Sequence, residues 1–111
     1  MALQLEKRDR SLIAFIDGEL DHHCAASIRE TLDSAYQQAQ IKNLILDFSK
    51  LTFMDSSGIG VIIGRYKMVQ AGKGKMLITG ISANVLRLLT LSGIHKIIPI
   101  VNNVETALKT V

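Results

Sequence analysis

The segment Asp55-Ser56-Ser57-Gly58-Ile59-Gly60 puts a carboxylate, two hydroxyls and two glycines in six consecutive positions. A phosphate cradle, a serine nucleophile or a modification site can be built from such groups. A dinucleotide cradle needs G-x-G-x-x-G and an acidic ribose ligand about 20 residues further on. Here Gly58, Gly60 and Gly64 put the third glycine one place late, with Ile63 in its position, and no acid follows Asp55 until Glu105. A nucleophilic serine needs a G-x-S-x-G elbow with an acid and a histidine later in the chain. Met54 or Asp55 stands where the first glycine belongs, only His95 follows the serines, and the sole later acid is near the end. Gly72-Lys73-Gly74-Lys75 lacks the ending of a P-loop and leads from a helix into a strand, the reverse polarity, so it reads as a turn. Asp21-His22-His23-Cys24 offers metal-ligand types, but neighbours on a helix point about 100° apart and no second ligand pair follows. The run reads as a capped helix start or a contact surface, with Cys24 a small packed side chain. No catalytic residue, cofactor or metal is expected, which leaves modification and binding.

The elements that must position these groups follow from periodicity. Gln4 to Lys7 and Leu12 to Asp17 read as strands joined by Arg8-Asp9-Arg10. Ala25, Ile28, Leu32, Ala35, Tyr36 and Ala39 recur at helical spacing, with Asp21 as N-cap. Asn43 to Phe48 is a continuous apolar run of the kind a buried strand shows. A second helix is expected from about Ser57 to Ala71, a strand over Lys75 to Thr79, a third helix from Ser82 to Ser92-Gly93 and a last strand over Lys96 to Val101. Asn102 with Glu105 three residues on reads as a capping box that opens a short terminal helix. The alternation predicts one α/β domain over residues 1–111, with a mixed, mostly parallel sheet of about five strands and about four helices.

Charge and composition exclude further classes. Residues 1–55 hold nine acids and six bases, whereas residues 56–111 hold seven bases and Glu105 alone. That gap removes most carboxylate-dependent acid–base and metal chemistry from the second half, which reads as a basic solvated surface. A net charge of +3 is too small to argue for nucleic acid without clustering. No stretch approaches the roughly 20 uncharged apolar residues of a membrane span, and the lone Cys24 excludes an internal disulfide. A cytoplasmic protein is expected.

On a helical wheel of the second helix, Ile59, Ile62, Ile63, Tyr66 and Val69 share a core-facing side. The opposite side carries Ser57, Gly60, Val61, Gly64 and Met68, with Arg65 and Lys67 at its flanks. Two interior glycines each cost about 1 kcal/mol relative to alanine, so close approach of another surface should offset them. That surface is either the protein's own sheet or a docked partner, for which a smooth, uncharged patch suits. At the start of the helix, a phosphate on serine would meet the positive end of the helix dipole and add about −1.5 to −2 charge beside Asp55, opposing such a partner.

Phe53 to Lys67, Gly18-Glu19-Leu20-Asp21-His22-His23 and Ser92 to Ile98 together resemble the anti-anti-sigma factors of the STAS family, in its sporulation branch, over nearly the whole chain. The resemblance implies a mixed sheet packed against four helices and a protein switch, not an enzyme. It implies that the unphosphorylated protein binds an anti-sigma factor that is also an ATP-dependent serine kinase, and so frees a sigma factor. The kinase then phosphorylates the first serine after the aspartate, here Ser56, and a PP2C-type phosphatase reverses the modification. The resemblance carries over Asp21 and Ser56; the docking surface inferred from the helix itself comprises Ser57, Gly58, Gly60, Val61, Gly64 and Met68, with Arg65 setting polar register. Glu19, Asp21 and His22 would border it, and Asp55 would orient Ser56 or supply acceptor charge. Gly64-Arg65-Tyr66-Lys67 favours sporulation over a stress-response antagonist of the same family. The residues alone leave open a small-ligand or nucleotide module built on the same helix start.

Overall fold

A computed structural model describes residues 2–38 and 40–111. Ala39, part of the helical spacing of the first helix, lies outside the described residues. The elements in chain order are β1 (Ala2–Arg8), β2 (Ser11–Leu20), α1 (Ala25–Tyr36), β3 (Asn43–Asp47), β4 (Leu51–Met54), α2 (Ser56–Ala71), β5 (Met76–Thr79), α3 (Ala83–Ser92), a 3-10 turn (Ile94–Lys96), β6 (Ile100–Val101) and α4 (Val104–Thr110). They form an α/β fold with a sheet ordered β1-β2-β3-β5-β6, while β4 pairs with β2. Only β1 runs antiparallel to its neighbour. The mixed, mostly parallel sheet and four helices expected from the alternation are present, with six strands instead of five.

Side chains on a strand alternate between faces, so a strand buried on both faces must be apolar throughout. Leu12, Ala14 and Ile16 of β2, Leu44 and Leu46 of β3, and Met76 and Ile78 of β5 join the larger core, with Ile28 and Leu32 of α1, Ile62 and Val69 of α2, and Val85 and Leu89 of α3. The intervening Ile13, Ile45 and Leu77 face the other way and pack under Ala107 of α4. One helix therefore seals one face of the sheet, and three seal the other.

Four local expectations are corrected. The strand β4 was not foreseen, because Leu51 to Met54 is four residues long and leaves Thr52 and Phe53 exposed. Asp21 does not cap α1: that helix starts at Ala25 with Cys24 as its cap residue, and Asp21 closes the turn before it, its carboxylate accepting from His23 N–H at 3.0 Å. The last strand shrinks to Ile100–Val101, since residues 94–96 wind into a 3-10 turn and Pro99 has no N–H for a ladder. The cap of α4 is Asn103, whose side chain accepts from Thr106 N–H at 2.8 Å, not Asn102. Among the described residues no helix is long and apolar enough to cross a membrane.

Candidate functional site

Two loops at the carboxyl ends of adjacent parallel strands build the site. The strand β2 pairs with β3 as far as Phe15, and β4 then takes over along Gly18–Leu20. The switch occurs at an irregularity between Gly18 and Glu19, where Gly18 has φ 99°, a left-handed conformation that glycine adopts without a Cβ clash. Because Leu20 lies opposite Met54, the turn 21–24 and the start of α2 emerge side by side.

Asp55 joins them. As N-cap of α2, with extended backbone, it accepts from Ser57 N–H at 2.8 Å and from Gly58 N–H at 3.4 Å on Oδ1. Its Oδ2 accepts from His22 N–H at 3.2 Å and lies 3.9 Å from His22 Nδ1. Satisfying the leading N–H groups of a helix is the work that Ser, Thr, Asn or Asp does at this position. Here the aspartate does it, and among the described residues neither Ser56 nor Ser57 has a hydroxyl engaged in a hydrogen bond. Two expectations change accordingly. The carboxylate is committed to backbone groups and not to orienting the Ser56 hydroxyl, and the Ser57 and Gly58 N–H groups that a phosphate would meet already have an acceptor. Ser56 is exposed and Ser57 half-buried.

Beside this cap, the turn 21–24 is held by Asp21. Its carboxyl loses hydration, which works against ionisation, yet the His23 N–H and the Cys24 thiol and backbone hold it below the usual carboxylate range. The half-buried Cys24 donates its thiol to the Glu19 carbonyl at 3.1 Å, a packed role. His22 and His23 stack with ring centroids 4.0 Å apart, and Glu19, His22 and His23 are exposed.

The helix α2 is rotated from the expected wheel. Its buried line runs through Gly58, Val61, Ile62, Arg65 and Val69. Val61 is thus a core residue, 4% exposed, and Met68 packs partly against the same core, while Ile59, Ile63 and Tyr66 are only half-buried. The rotation has two causes. Gly58 seats the first turn against the strand ends: a Cβ there would collide with Met54 Cγ and stand 2.8 Å from the Leu20 carbonyl. Arg65, expected at a flank, is turned inward, its Nε 2.9 Å from Asp33 Oδ1 on α1. The N–H does not point at that oxygen, and Nη1 also lacks a partner, so the contact is a charge pair without aligned hydrogen bonds. Burial lowers the guanidinium below its ordinary value, Asp33 opposes that, and Arg29 adds to it. An inward charge is invisible to a hydropathy wheel; the only hint is the acid at Asp33, one helix earlier.

Gly60 and Gly64 are different from Gly58. A Cβ at either would meet nothing within 4 Å, so neither glycine serves close packing of α2 on its own sheet. The solvent side of α2 is consequently Ser56, Gly60, Lys67, Gln70 and Ala71, flanked by Ile63 and Gly64. Of the surface named from the sequence, Gly60, Gly64, Ser57 and Met68 retain exposure, whereas Gly58, Val61 and Arg65 lie inside. Among the described residues no cluster of three or more His, Cys, Asp or Glu is placed to hold a metal ion.

Comparison with known proteins places this geometry in a family. The STAS domain model matches residues 2–107. The anti-sigma F factor antagonist of Paenibacillus polymyxa is 41% identical over 108 residues, covering 97% of this chain and 92% of the relative. The anti-sigma-B factor antagonist of Listeria monocytogenes is 30% identical over 103 residues, covering 92% of this chain and 90% of the relative. Among solved structures, the phosphorylated form of the Bacillus cell fate determinant SpoIIAA superposes with a TM-score of 0.77 at 30% identity, covering 98% of both chains.

Proposed function

The chain belongs to the STAS domain family, and on that premise we propose that it is an anti-sigma factor antagonist whose partner binding is switched by phosphorylation of Ser56. Unmodified, it docks the Gly60 and Gly64 side of α2 onto an anti-sigma factor that is also an ATP-dependent serine kinase, with Glu19, Asp21, His22, Asp55, Ser57 and Met68 at the border. Gly58, Val61 and Arg65 act from inside by fixing the rotation of the helix. The kinase supplies the nucleotide, the metal ion and the phosphoryl-transfer machinery. This protein supplies a hydroxyl and a shape, without catalysis of its own, as one cytoplasmic domain over residues 1–111. A PP2C-type phosphatase restores the unmodified form.

The observation that carries the reading is the free, exposed Ser56 hydroxyl next to a helix terminus that Asp55 has already filled. A phosphate there gains few backbone donors. About −1.5 to −2 charge therefore stays at the surface, facing the partner, beside the Asp55 carboxylate. Covering that charge would require desolvating it without a counter-ion, which weakens the complex. The form of the Bacillus relative solved as phosphorylated supports the same reading. Control of a sporulation sigma factor is favoured over stress response, since the sigma F antagonist relative is 41% identical and the sigma-B relative 30%.

Incubation with a cognate anti-sigma kinase and ATP should add one phosphate, located by mass spectrometry on Ser56 and absent from Ser56→Ala. Modification confined to Ser57, or equal affinity of the modified and unmodified forms for the kinase, overturns the proposal.

A further inference from the structure

The amino ends of β2, β3 and β5 carry a second feature, which the switch does not use. The hairpin turn at Asp9-Arg10, the entry to β3, the Lys73-Gly74 turn and the end of α4 surround an open basin of about 570 Å³. Arg8, Arg10, Lys42, Lys73, Lys75 and Lys109 line it, against two acids, Asp9 and Glu105. Arg8 pairs with Glu6 at 3.1 Å, outside the basin. Among the described residues the other five cations make no ion pair; Lys75 Nζ only reaches the Thr110 carbonyl, at 3.4 Å. Like charges gathered in a concavity repel one another and raise the local potential, which an anion relieves.

The frame beneath these cations is built from backbone. Asn43 of β3 links β2 to the entry of β5, accepting from Lys75 N–H at 2.9 Å and donating to the buried Ser11 hydroxyl at 3.4 Å. The amides of Lys42 and Asn43 both donate to the Arg10 carbonyl, at 2.8 and 3.1 Å. Tyr36 donates its hydroxyl to the Lys42 carbonyl at 2.6 Å, and the backbone of Gly74 passes so close to that carbonyl that any Cβ would collide with it. Lys73 stands on left-handed backbone, φ 60°. The Gly72-Lys73-Gly74-Lys75 run, no P-loop, is one wall of this basin.

We propose that the basin is a binding site for a compact anion carrying several phosphate groups, recognised through the phosphates alone. Its size is that of a small-molecule site, and its donors are cationic side chains, which suit phosphate. No aromatic side chain lines it, so nothing is placed to stack a nucleobase. Ser11 and Leu20 are the two ends of β2, and at about 3.3 Å per residue the basin lies roughly 30 Å from the switch. Occupancy therefore leaves the Ser56 surface free.

The test is a titration of the full chain with inorganic tripolyphosphate, and separately with a nucleoside triphosphate, followed by backbone amide shifts. One saturable site is expected, with shifts centred on Arg10, Lys42 and Lys73 and affinity falling steeply with salt. The two ligands should bind within about threefold of each other. Loss of one charged contact typically costs about tenfold, so Lys42→Gln with Lys73→Asn should weaken binding about 100-fold; asparagine tolerates left-handed backbone. Lys109→Gln, a lone change on an exposed face, should give about tenfold. Shifts that fail to saturate, shifts centred on the Ser56 end, much tighter binding of the nucleotide, or unchanged affinity in the folded variants would each overturn the site. None of these outcomes bears on phosphorylation of Ser56.

Discussion

Gly58 and Gly60, two residues apart in α2, should respond to alanine with opposite signs. At Gly58 a methyl group meets the Leu20 carbonyl at 2.8 Å and collides with Met54 Cγ. The overpacking should exceed the gain in helix propensity, for a net loss of about 1 to 2 kcal/mol. At Gly60, or at Gly64, the space is open, and alanine should stabilise by up to about 1 kcal/mol, a few degrees in thermal midpoint for a domain of this size. Thermal unfolding of the three variants checks the signs; stabilisation at Gly58 would remove the seating role assigned to it. Asp21 permits a pH test. Its carboxyl is held below the ordinary value of 3.8, so the stability it contributes is complete above that value and is lost as pH falls through the lower folded value. The turn 21–24 should therefore loosen only in acid, below about pH 4, read as faster exchange of the His23 amide.

At the scale of elements, the ion pair between α1 and α2 governs how the second helix is turned. Asp33→Ala leaves the Arg65 guanidinium, with its side chain 9% exposed, without its counter-charge. The cost should be about 2 to 3 kcal/mol, at or below the low end for buried pairs, because Asp33 retains a third of its exposure. Arg65→Met in that background should recover most of it, since an apolar side chain of similar length suits the site. Denaturant unfolding of the single and double variants decides this, and a double variant no better than Asp33→Ala would mean the charge is not what matters. The same pair explains part of what the sequence left hidden. The central strands β3 and β5 are legible because both faces are buried and every residue from Leu44 to Phe48 is apolar or, like Asp47, hydrogen-bonded at the strand's end. The four helices are legible from spacing, although of the expected caps Asp21 and Asn102 are not the residues that close α1 and α4. What escapes is set by contacts distant in sequence: β4 exists because the end of β2 needs a neighbour, and the rotation of α2 depends on Asp33, Leu20 and Met54. Ser56 is singled out from Ser57 only through the family resemblance, and the capping role of Asp55 required its partners to be seen.

For the whole molecule, the proposed switch and the proposed anion basin lie at opposite ends of the sheet, and neither lies in the core. Ser56 is exposed and makes no side-chain hydrogen bond among the described residues, so Ser56→Asp should change folding stability by no more than about 0.5 kcal/mol. On the proposed mechanism it should nonetheless reduce affinity for the anti-sigma kinase. Thermal unfolding and a binding isotherm on the same sample separate the two effects; a large loss of stability would show that the serine belongs to the fold. The open space around Gly60 and Gly64 has a further consequence. Since a Cβ at either position meets nothing within 4 Å, a duplicated gene could change its outward contour there, one substitution at a time, and remain foldable. On the proposed docking face, sister copies could thus diverge into circuits that ignore one another, with the architecture inherited intact.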